Sequence, residues 1–155
     1  SNKPEAYVLQ RAQKFGVPSK VFSRTEFFES DTILDLLKDH KIDLIVLAGF
    51  LWLIPDYLIK NYSGKIINIH PALLPKYGGK GMYGNKVHEA VIDAKEKESG
   101  ISIHYVNEKF DEGEVIFQAK TLIEESDTYE SLARKIHALE HEHFPKVIEQ
   151  LLKDV

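Results

Sequence analysis

An amide and an imidazole stand at the end of an apolar run, in the stretch IINIH at residues 66–70. Asn68 and His70 are two positions apart, so on an extended chain their side chains point to the same side and one small ligand can meet both. The amide can donate a hydrogen bond to a developing oxyanion, and the imidazole can carry a proton near neutral pH. Taken alone, the pair is more simply explained as two polar residues that close a strand and bond local backbone.

The loop after this pair combines stiff and flexible residues, which strengthens the hypothesis of a ligand site. Pro71 and Pro75 fix the backbone. The glycines that follow let the backbone come close to a ligand or move over it: Gly78, Gly79, Gly81 and Gly84. In open parallel sheets, functional groups gather beyond the carboxyl ends of the strands, where such loops converge.

A second candidate segment is NEKFDEGEV, residues 107–115, which reads as a turn between two predicted strands. Its Asp111, followed by Gly113, could reach back to His70, hold the ring and favour the protonated imidazole. On spacing alone, an aspartate that bonds its own turn is the simpler interpretation.

A third candidate is Glu140, which lies four residues from apolar positions on both sides and so stands beside the apolar stripe of a predicted helix. Buried carboxylates need partners. His137, Glu140 and His141 also form the H-x-x-E-H order of some zinc peptidases, which leaves a zinc site as a weaker alternative. We interpret His88 and His104 as ordinary helix and strand residues.

The elements that must position these residues alternate between helices and strands, which indicates an α/β fold with a mainly parallel sheet and an antiparallel addition near the end. Apolar periodicity and caps predict helices over residues 1–15, 30–40, 84–96 and from Asp127 onward, the last interrupted or kinked at Pro145. A short, possibly helical link follows the strand 42–50. Strands are predicted at 42–50, 65–70, 100–107 and 114–123, with a further short strand within 18–24.

The composition indicates one domain that binds small molecules. The chain has 155 residues, 43% of them hydrophobic, and a formal net charge of −4, so neither a nucleic-acid footprint nor an acidic tail is present. The absence of cysteine excludes disulfides, thiolate metal sites and cysteine nucleophiles. No apolar run is long enough for a membrane span, and we expect a cytoplasmic protein. The pattern indicates no particular oligomeric state.

Four stretches together resemble the glycinamide ribonucleotide formyltransferases of purine biosynthesis: VLAGFLWLIP, INIHPALLPKYGGKG, GISIHYVNEKFDEGEVIFQ and EHEHFPKVI. The Asn-x-His-Pro-x-Leu-Leu-Pro block with a later Asp-x-Gly is specific for folate-dependent formyl transfer as a class. Methionyl-tRNA formyltransferase and formyltetrahydrofolate hydrolase share it, whereas the closing EHEHFP is similar to the glycinamide enzyme. The resemblance implies a Rossmann-like formyltransferase fold, an open twisted sheet with flanking helices, over residues 1–155.

The resemblance also implies a role for each candidate residue. Asn68 would hold the formyl oxygen as it becomes an oxyanion, and His70 would act as general acid and base. Asp111 would raise the basicity of His70 and help to order water, and Glu140 would receive the glycine amine of the acceptor. The formyl donor would be 10-formyltetrahydrofolate, with no metal expected. Its binding residues would be Asn68 and five more: Arg24, Leu51, Trp52, Leu53 and Ile54, with Trp52 where an arginine is common.

The front of the chain departs from the family pattern. Family members begin with a strand, a glycine-rich turn that binds the substrate phosphate, a helix and a second strand, and residues 1–7 (SNKPEAY) look like the segment just after that second strand. We therefore expect the domain to be incomplete at its N-terminus. Three alternatives to formyl transfer remain at this point: a formyltetrahydrofolate hydrolase, a zinc hydrolase that uses His137 and His141, and a catalytically inactive binding module.

Overall fold

A computed structural model describes residues 1–153 of the chain. These residues belong to two compact units, Ser1–Ile42 and Asp43–Val155. The sequence predicts a single domain, incomplete at its N-terminus, and this stays a prediction.

The first unit contains three helices: α1 (Tyr7–Lys14), α2 (Arg24–Phe28) and α3 (Thr32–Asp39). Gly16, at φ 65°, follows α1 and suits the left-handed turn that ends the helix. The short strand predicted within residues 18–24 is wrong, because this segment leads into α2. A capping box replaces strand pairing there: the Ser23 hydroxyl accepts from the Glu26 amide at 3.2 Å, and the Glu26 carboxylate accepts from the Ser23 amide at 2.7 Å.

The second unit is built on an open mixed sheet of four described strands, in the order β1-β2-β3-β4. The strands are β1 (Ile45–Ala48), β2 (Ile66–His70), β3 (Glu98–Tyr105) and β4 (Val115–Leu122). β1 pairs with β2 in parallel, whereas β2 with β3 and β3 with β4 are antiparallel. The predicted open sheet with an antiparallel addition is confirmed, but the sheet is mixed rather than mainly parallel, because two of its three described strand pairs are antiparallel.

Three helices accompany this sheet: α4 (Asp56–Asn61), α5 (Asn85–Asp93) and α6 (Tyr129–Lys153). The predicted helical link between the first two strands is α4. The long C-terminal helix α6 packs on β3 and β4 and against α5. It continues through Pro145, so the predicted interruption is wrong, while the kink that was the other possibility stays a prediction. Phe144 and Val147 on either side of this proline are buried in the core, and their packing offsets the backbone hydrogen bond that proline cannot make.

The core of the second unit lies between the sheet and the α5–α6 pair, and branched aliphatic residues of both strands and helices fill it: Ile67, Ile69, Val87, Ile101, Ile103, Leu132 and Ile136. Strand β3 is buried along residues 99–104. This burial includes the polar residues Ser102 and His104, which must therefore find hydrogen-bond partners inside the protein. Those partners lie in the segments that hold the candidate site.

Candidate active site

Strand β2 places Asn68 and His70 at its carboxyl end, where parallel β1 also ends. The register pairs Ala48 of β1 with Ile69, so the loop after β1 and the loop after β2 leave the sheet at one edge. His70 is 3% exposed and Asn68 is half-buried. Side chains at this edge are thus anchored by the sheet and face the space between two loops.

The turn after β3 brings Asp111 to His70, as the sequence predicts. The carboxylate oxygen Oδ2 of Asp111 lies 3.5 Å from Nδ1 of His70 and accepts a hydrogen bond from the Gly79 amide at 2.9 Å. The other oxygen, Oδ1, lies 3.5 Å from Nε2 of His104. Asn68 and His70 of β2 and Asp111 of the turn after β3 therefore lie in one site.

Two residues that contact the His70 ring have backbone conformations that residues other than glycine rarely adopt. Nε2 of His70 lies 2.7 Å from the carbonyl oxygen of Tyr77, so this nitrogen donates. Tyr77 has φ 57° and Asp111 has φ 56°. Residues held in the left-handed region cost free energy and concentrate at functional sites.

Two glycines allow the turn of Asp111 to come this close. A Cβ on Gly113 would lie 1.7 Å from the carbonyl oxygen of Tyr105, and a Cβ on Gly78 would lie 2.6 Å from Leu74 and 3.2 Å from the Cβ of Asp111. The Gly113 position has no room for a side chain, whereas at Gly78 the Leu74 side chain would have to shift. The Asp-x-Gly spacing in the sequence is thus a steric requirement of the site.

Buried Ser102 holds the proline-containing loop after β2. Its hydroxyl donates to the carbonyl of Ala72 at 2.7 Å and accepts from the Leu74 amide at 2.9 Å. It also accepts from the Gln118 side chain at 2.8 Å. The sheet therefore fixes the first residues of the loop.

His104, which the sequence suggests is an ordinary strand residue, is part of the site. The antiparallel register places it directly opposite Asn68. Its Nε2 lies 3.2 Å from the amide nitrogen of Asn68, and its Nδ1 lies 2.8 Å from the carbonyl oxygen of Tyr105. The signal that could have found it is the pairing of the two strands, because residues opposite each other on one face lie in contact.

Burial and neighbouring charges shift the pKa values of His70 and Asp111 in directions that suit proton transfer. Burial lowers the pKa of His70 below its ordinary value, although the Asp111 carboxylate and the Tyr77 carbonyl oppose this. Burial alone would raise the pKa of Asp111, but the charge of His70 and the hydrogen bond from the Gly79 amide lower it. Asp111 is thus ionised at neutral pH beside an imidazole that can accept a proton.

These residues line one end of a cleft of about 740 Å³. Its walls come from the loop after β1, the end of β2, the glycine-rich loop, α5, the turn of Asp111 and α6. Helix α6 contributes Glu140 and His137. Burial raises the pKa of Glu140, while His137 and His141 oppose that shift. A partly buried carboxylate in a cleft favours a cationic or hydrogen-bond-donating ligand group, since such a group offsets the cost of its charge.

His88 of α5 also lines this cleft, contrary to its interpretation as an ordinary helix residue. Its side chain is buried, and its Nδ1 has no hydrogen-bond partner among residues 1–153. Burial lowers the pKa of His88, as do His137 and His70, so the neutral ring is favoured.

The predicted folate-binding segment lies beside Asn68. Leu51 lines the cleft, whereas Trp52, Leu53 and Ile54 line an adjoining pocket of about 50 Å³ together with Asn68 and Asp111. The rings of Trp52 and Phe50 form an edge-to-face pair with centroids 6.1 Å apart.

Arg24 belongs to the first unit. It begins α2, and its guanidinium carbon lies 4.6 Å from the centre of the Phe28 ring. Its assignment to the cofactor stays a prediction.

In the described part of the chain, no group of three or more histidine, cysteine, aspartate or glutamate side chains is arranged to hold a metal ion. His137 and His141 are both exposed on α6. No support therefore arises for the zinc alternative. Likewise, none of the helices in residues 1–153 combines the length and the apolar character that a bilayer crossing demands.

Comparison with known proteins gives one consistent family. The family model described as "Formyl transferase" matches residues 1–148. The phosphoribosylglycinamide formyltransferase of Bacillus subtilis (strain 168) is 42% identical over 156 residues, which cover 97% of this chain and 77% of the relative. The chloroplastic phosphoribosylglycinamide formyltransferase of Arabidopsis thaliana is 38% identical, and the match covers 96% of this chain but 52% of that protein, about half its length.

A solved structure gives the same result at the level of the fold. The crystal structure of phosphoribosylglycinamide formyltransferase from Anaplasma phagocytophilum superimposes with a TM-score of 0.90 at 38% identity, covering 99% of this chain and 72% of that one. The resemblance seen in the Asn-x-His-Pro block thus extends over nearly all of this chain, in sequence and in structure. This chain belongs to the formyl transferase family.

Proposed function

We propose that this protein transfers the formyl group of 10-formyltetrahydrofolate to the glycine amine of glycinamide ribonucleotide, a step of purine biosynthesis. The observation that carries the proposal is the meeting of Asn68, His70 and Asp111 at one end of a cleft that Glu140 lines, in a chain about 40% identical to enzymes named for this reaction. The enzyme is accordingly a one-carbon formyl transferase.

The residues suit a direct transfer without a covalent enzyme intermediate. The neutral amine attacks the formyl carbon, a C–N bond forms, and the carbonyl oxygen becomes an oxyanion that the Asn68 amide stabilises by donating a hydrogen bond. The tetrahedral intermediate then collapses with cleavage of the bond to the folate nitrogen. The amine loses one proton and the folate nitrogen gains one, so the protons balance.

His70 and Asp111 are suited to move that proton. Burial keeps His70 neutral enough to accept it, and the protonated ring would be held between two acceptors, the Tyr77 carbonyl and the Asp111 carboxylate. Asp111 also offers oxygen lone pairs that can order a water between amine and folate nitrogen. The Gly79 amide holds this carboxylate by donating to Oδ2 at 2.9 Å.

Glu140 and the segment after β1 would bind the two substrates. The Glu140 carboxylate, which lines the cleft, would receive the glycine amine of the acceptor by accepting a hydrogen bond from the neutral NH₂ group. Backbone and side chains of residues 51–54 would line the pterin pocket, with Asn68 completing these contacts. The ligands are small molecules, neither nucleic acid nor membrane, and we propose a cytoplasmic location and no metal requirement.

The test is formyl transfer by the full chain with both substrates, with formate release measured with and without the acceptor. We expect acceptor-dependent loss of the formyl group, little formate, and no effect of a chelator. Asn68→Ala should lower turnover by about 10²–10³ with the fold intact, because one oxyanion donor is lost. Acceptor-independent formate release would instead indicate hydrolysis, and wild-type turnover of Asn68→Ala would contradict the assigned role.

A further inference from the structure

His104 stands between the two parts of the site, although the mechanism above does not use it. The side chain of His104 is 2% exposed. It contacts Asn68 of β2 on one side and Asp111 of the following turn on the other. A buried imidazole is costly unless its ring nitrogens are bonded. The partners of the two ring nitrogens determine which of them carries the proton and which accepts a hydrogen bond.

The first partner fixes where the ring proton is. Nδ1 lies 2.8 Å from the Tyr105 carbonyl oxygen. A carbonyl only accepts hydrogen bonds, so Nδ1 must carry the proton and donate it. In the neutral ring, Nε2 is then a hydrogen-bond acceptor.

The second partner follows from that assignment. The amide nitrogen of Asn68 is 3.2 Å from Nε2, whereas the Asp111 oxygen is 3.5 Å away. A nitrogen with a lone pair can accept from the Asn68 amide but cannot donate to Asp111, and 3.5 Å exceeds the usual length of a strong hydrogen bond. The neutral ring therefore selects the orientation of the Asn68 amide, with its NH₂ group toward His104 and its second N–H available to the cleft.

We propose that His104 is a positioning residue for the oxyanion donor: it holds the Asn68 amide with its N–H, and not its carbonyl oxygen, where the formyl oxygen becomes charged. The proposal rests on the proposed formyl transfer. A reversed amide would place an acceptor lone pair against the oxyanion and would oppose the transition state. The shared register of β2 and β3 makes the arrangement part of the sheet rather than of a loop.

The Tyr105 carbonyl that fixes the ring proton is itself fixed by the turn. The Tyr105 amide donates to the Glu114 carbonyl at 2.9 Å, and Gly113 packs directly on the Tyr105 carbonyl. The glycine of the Asp-x-Gly motif thus also supports the tautomer of His104.

Kinetics of two substitutions test the proposal. His104→Phe keeps a ring of similar shape without nitrogens, and His104→Gln restores an acceptor near the position of Nε2. We expect His104→Phe to lower kcat by about 10- to 100-fold, up to the effect of losing the donor itself, with little change in KM for either substrate. His104→Gln should recover most of this loss.

A double-mutant cycle separates positioning from a general structural effect. If His104 acts through Asn68, His104→Phe should have almost no further effect on kcat in the Asn68→Ala background, because the group that it positions is absent. Independent, multiplicative losses would overturn the proposal, and so would a His104→Phe enzyme with wild-type kcat.

A measurement that needs no activity completes the test. Ring ¹⁵N chemical shifts of His104 in the wild-type protein, assigned by comparison with His104→Gln, should show a proton on Nδ1 and none on Nε2. A ring protonated at Nε2 would reverse the Asn68 amide and overturn the proposal even if the His104→Phe variant fails to fold. If the wild-type chain transfers no formyl group, the proposed function fails, while the ring tautomer still decides the orientation of Asn68.

Discussion

Gly113→Ala should strongly slow formyl transfer although residue 113 carries no catalytic group. The new Cβ would lie 1.7 Å from the carbonyl oxygen of Tyr105 and 2.7 Å from its carbonyl carbon, where real Cβ atoms stay beyond 3.0 Å. The turn and the strand must therefore separate by more than about 1 Å at this point. Asp111, two residues away in the same turn, moves with it.

The consequence can be estimated from the distances at the site. Oδ2 of Asp111 is already 3.5 Å from Nδ1 of His70, so a shift of this size removes the contact. Misplacement of a reacting group by about 1 Å can cost roughly 10²-fold in rate. We therefore expect kcat/KM for formyl transfer to fall by about two orders of magnitude, with a loss of about 1–3 kcal/mol in the free energy of unfolding from overpacking.

The assay is steady-state formyl transfer at saturating folate together with thermal unfolding. Gly64→Ala is the matched control, because Gly64 has φ 68° and an added Cβ would meet no atom within 4 Å. This control should lower the unfolding midpoint through left-handed strain of about 1–2 kcal/mol and leave kcat unchanged. A Gly113→Ala enzyme with the kcat/KM of wild type would refute the steric argument.

Two substitutions of charged residues give further predictions. Asp111→Asn removes the charge that opposes the burial of His70, so the pKa of His70 falls further and the acid limb of the kcat/KM profile should move to lower pH; an unchanged profile would argue against the pairing. Burial raises the pKa of Glu140, so the folded protein loses stability as the pH rises from the ordinary glutamate pKa to the raised value, and the full cost is present above it. Glu140→Gln should therefore raise the unfolding midpoint at pH 7 but not near pH 4, and should raise KM for the acceptor by about 10-fold or more through loss of a charged hydrogen bond. An equal midpoint change at both pH values would contradict the burial of that charge.

The local chemistry of the site was accessible from the sequence because it depends on short spacings. Asn68 and His70 share a side of one strand by their two-residue separation, and the polar pair at the end of an apolar run marks the strand end. The helix that carries Glu140 follows from apolar periodicity. The approach of Asp111 to His70 was one of two possibilities that the turn allowed, and the fold selects it.

The roles of His104 and Gly113 in the site could not be predicted from short sequence spacings. His104 acts because the register of two antiparallel strands sets it opposite Asn68, and register depends on the whole sheet. Gly113 is required by a carbonyl eight residues earlier in the chain. The wrong strand within residues 18–24 has the opposite cause, since a local capping box at Ser23 outweighs the weak strand pattern.

The most direct test of the account is a structure of the protein with a stable analogue of 10-formyltetrahydrofolate. The formyl oxygen should lie within about 2.7–3.2 Å of the Asn68 amide nitrogen, with His70 and Asp111 beside the formyl carbon. A formyl group bound in another part of the cleft, out of contact with both Asn68 and His70, would contradict it.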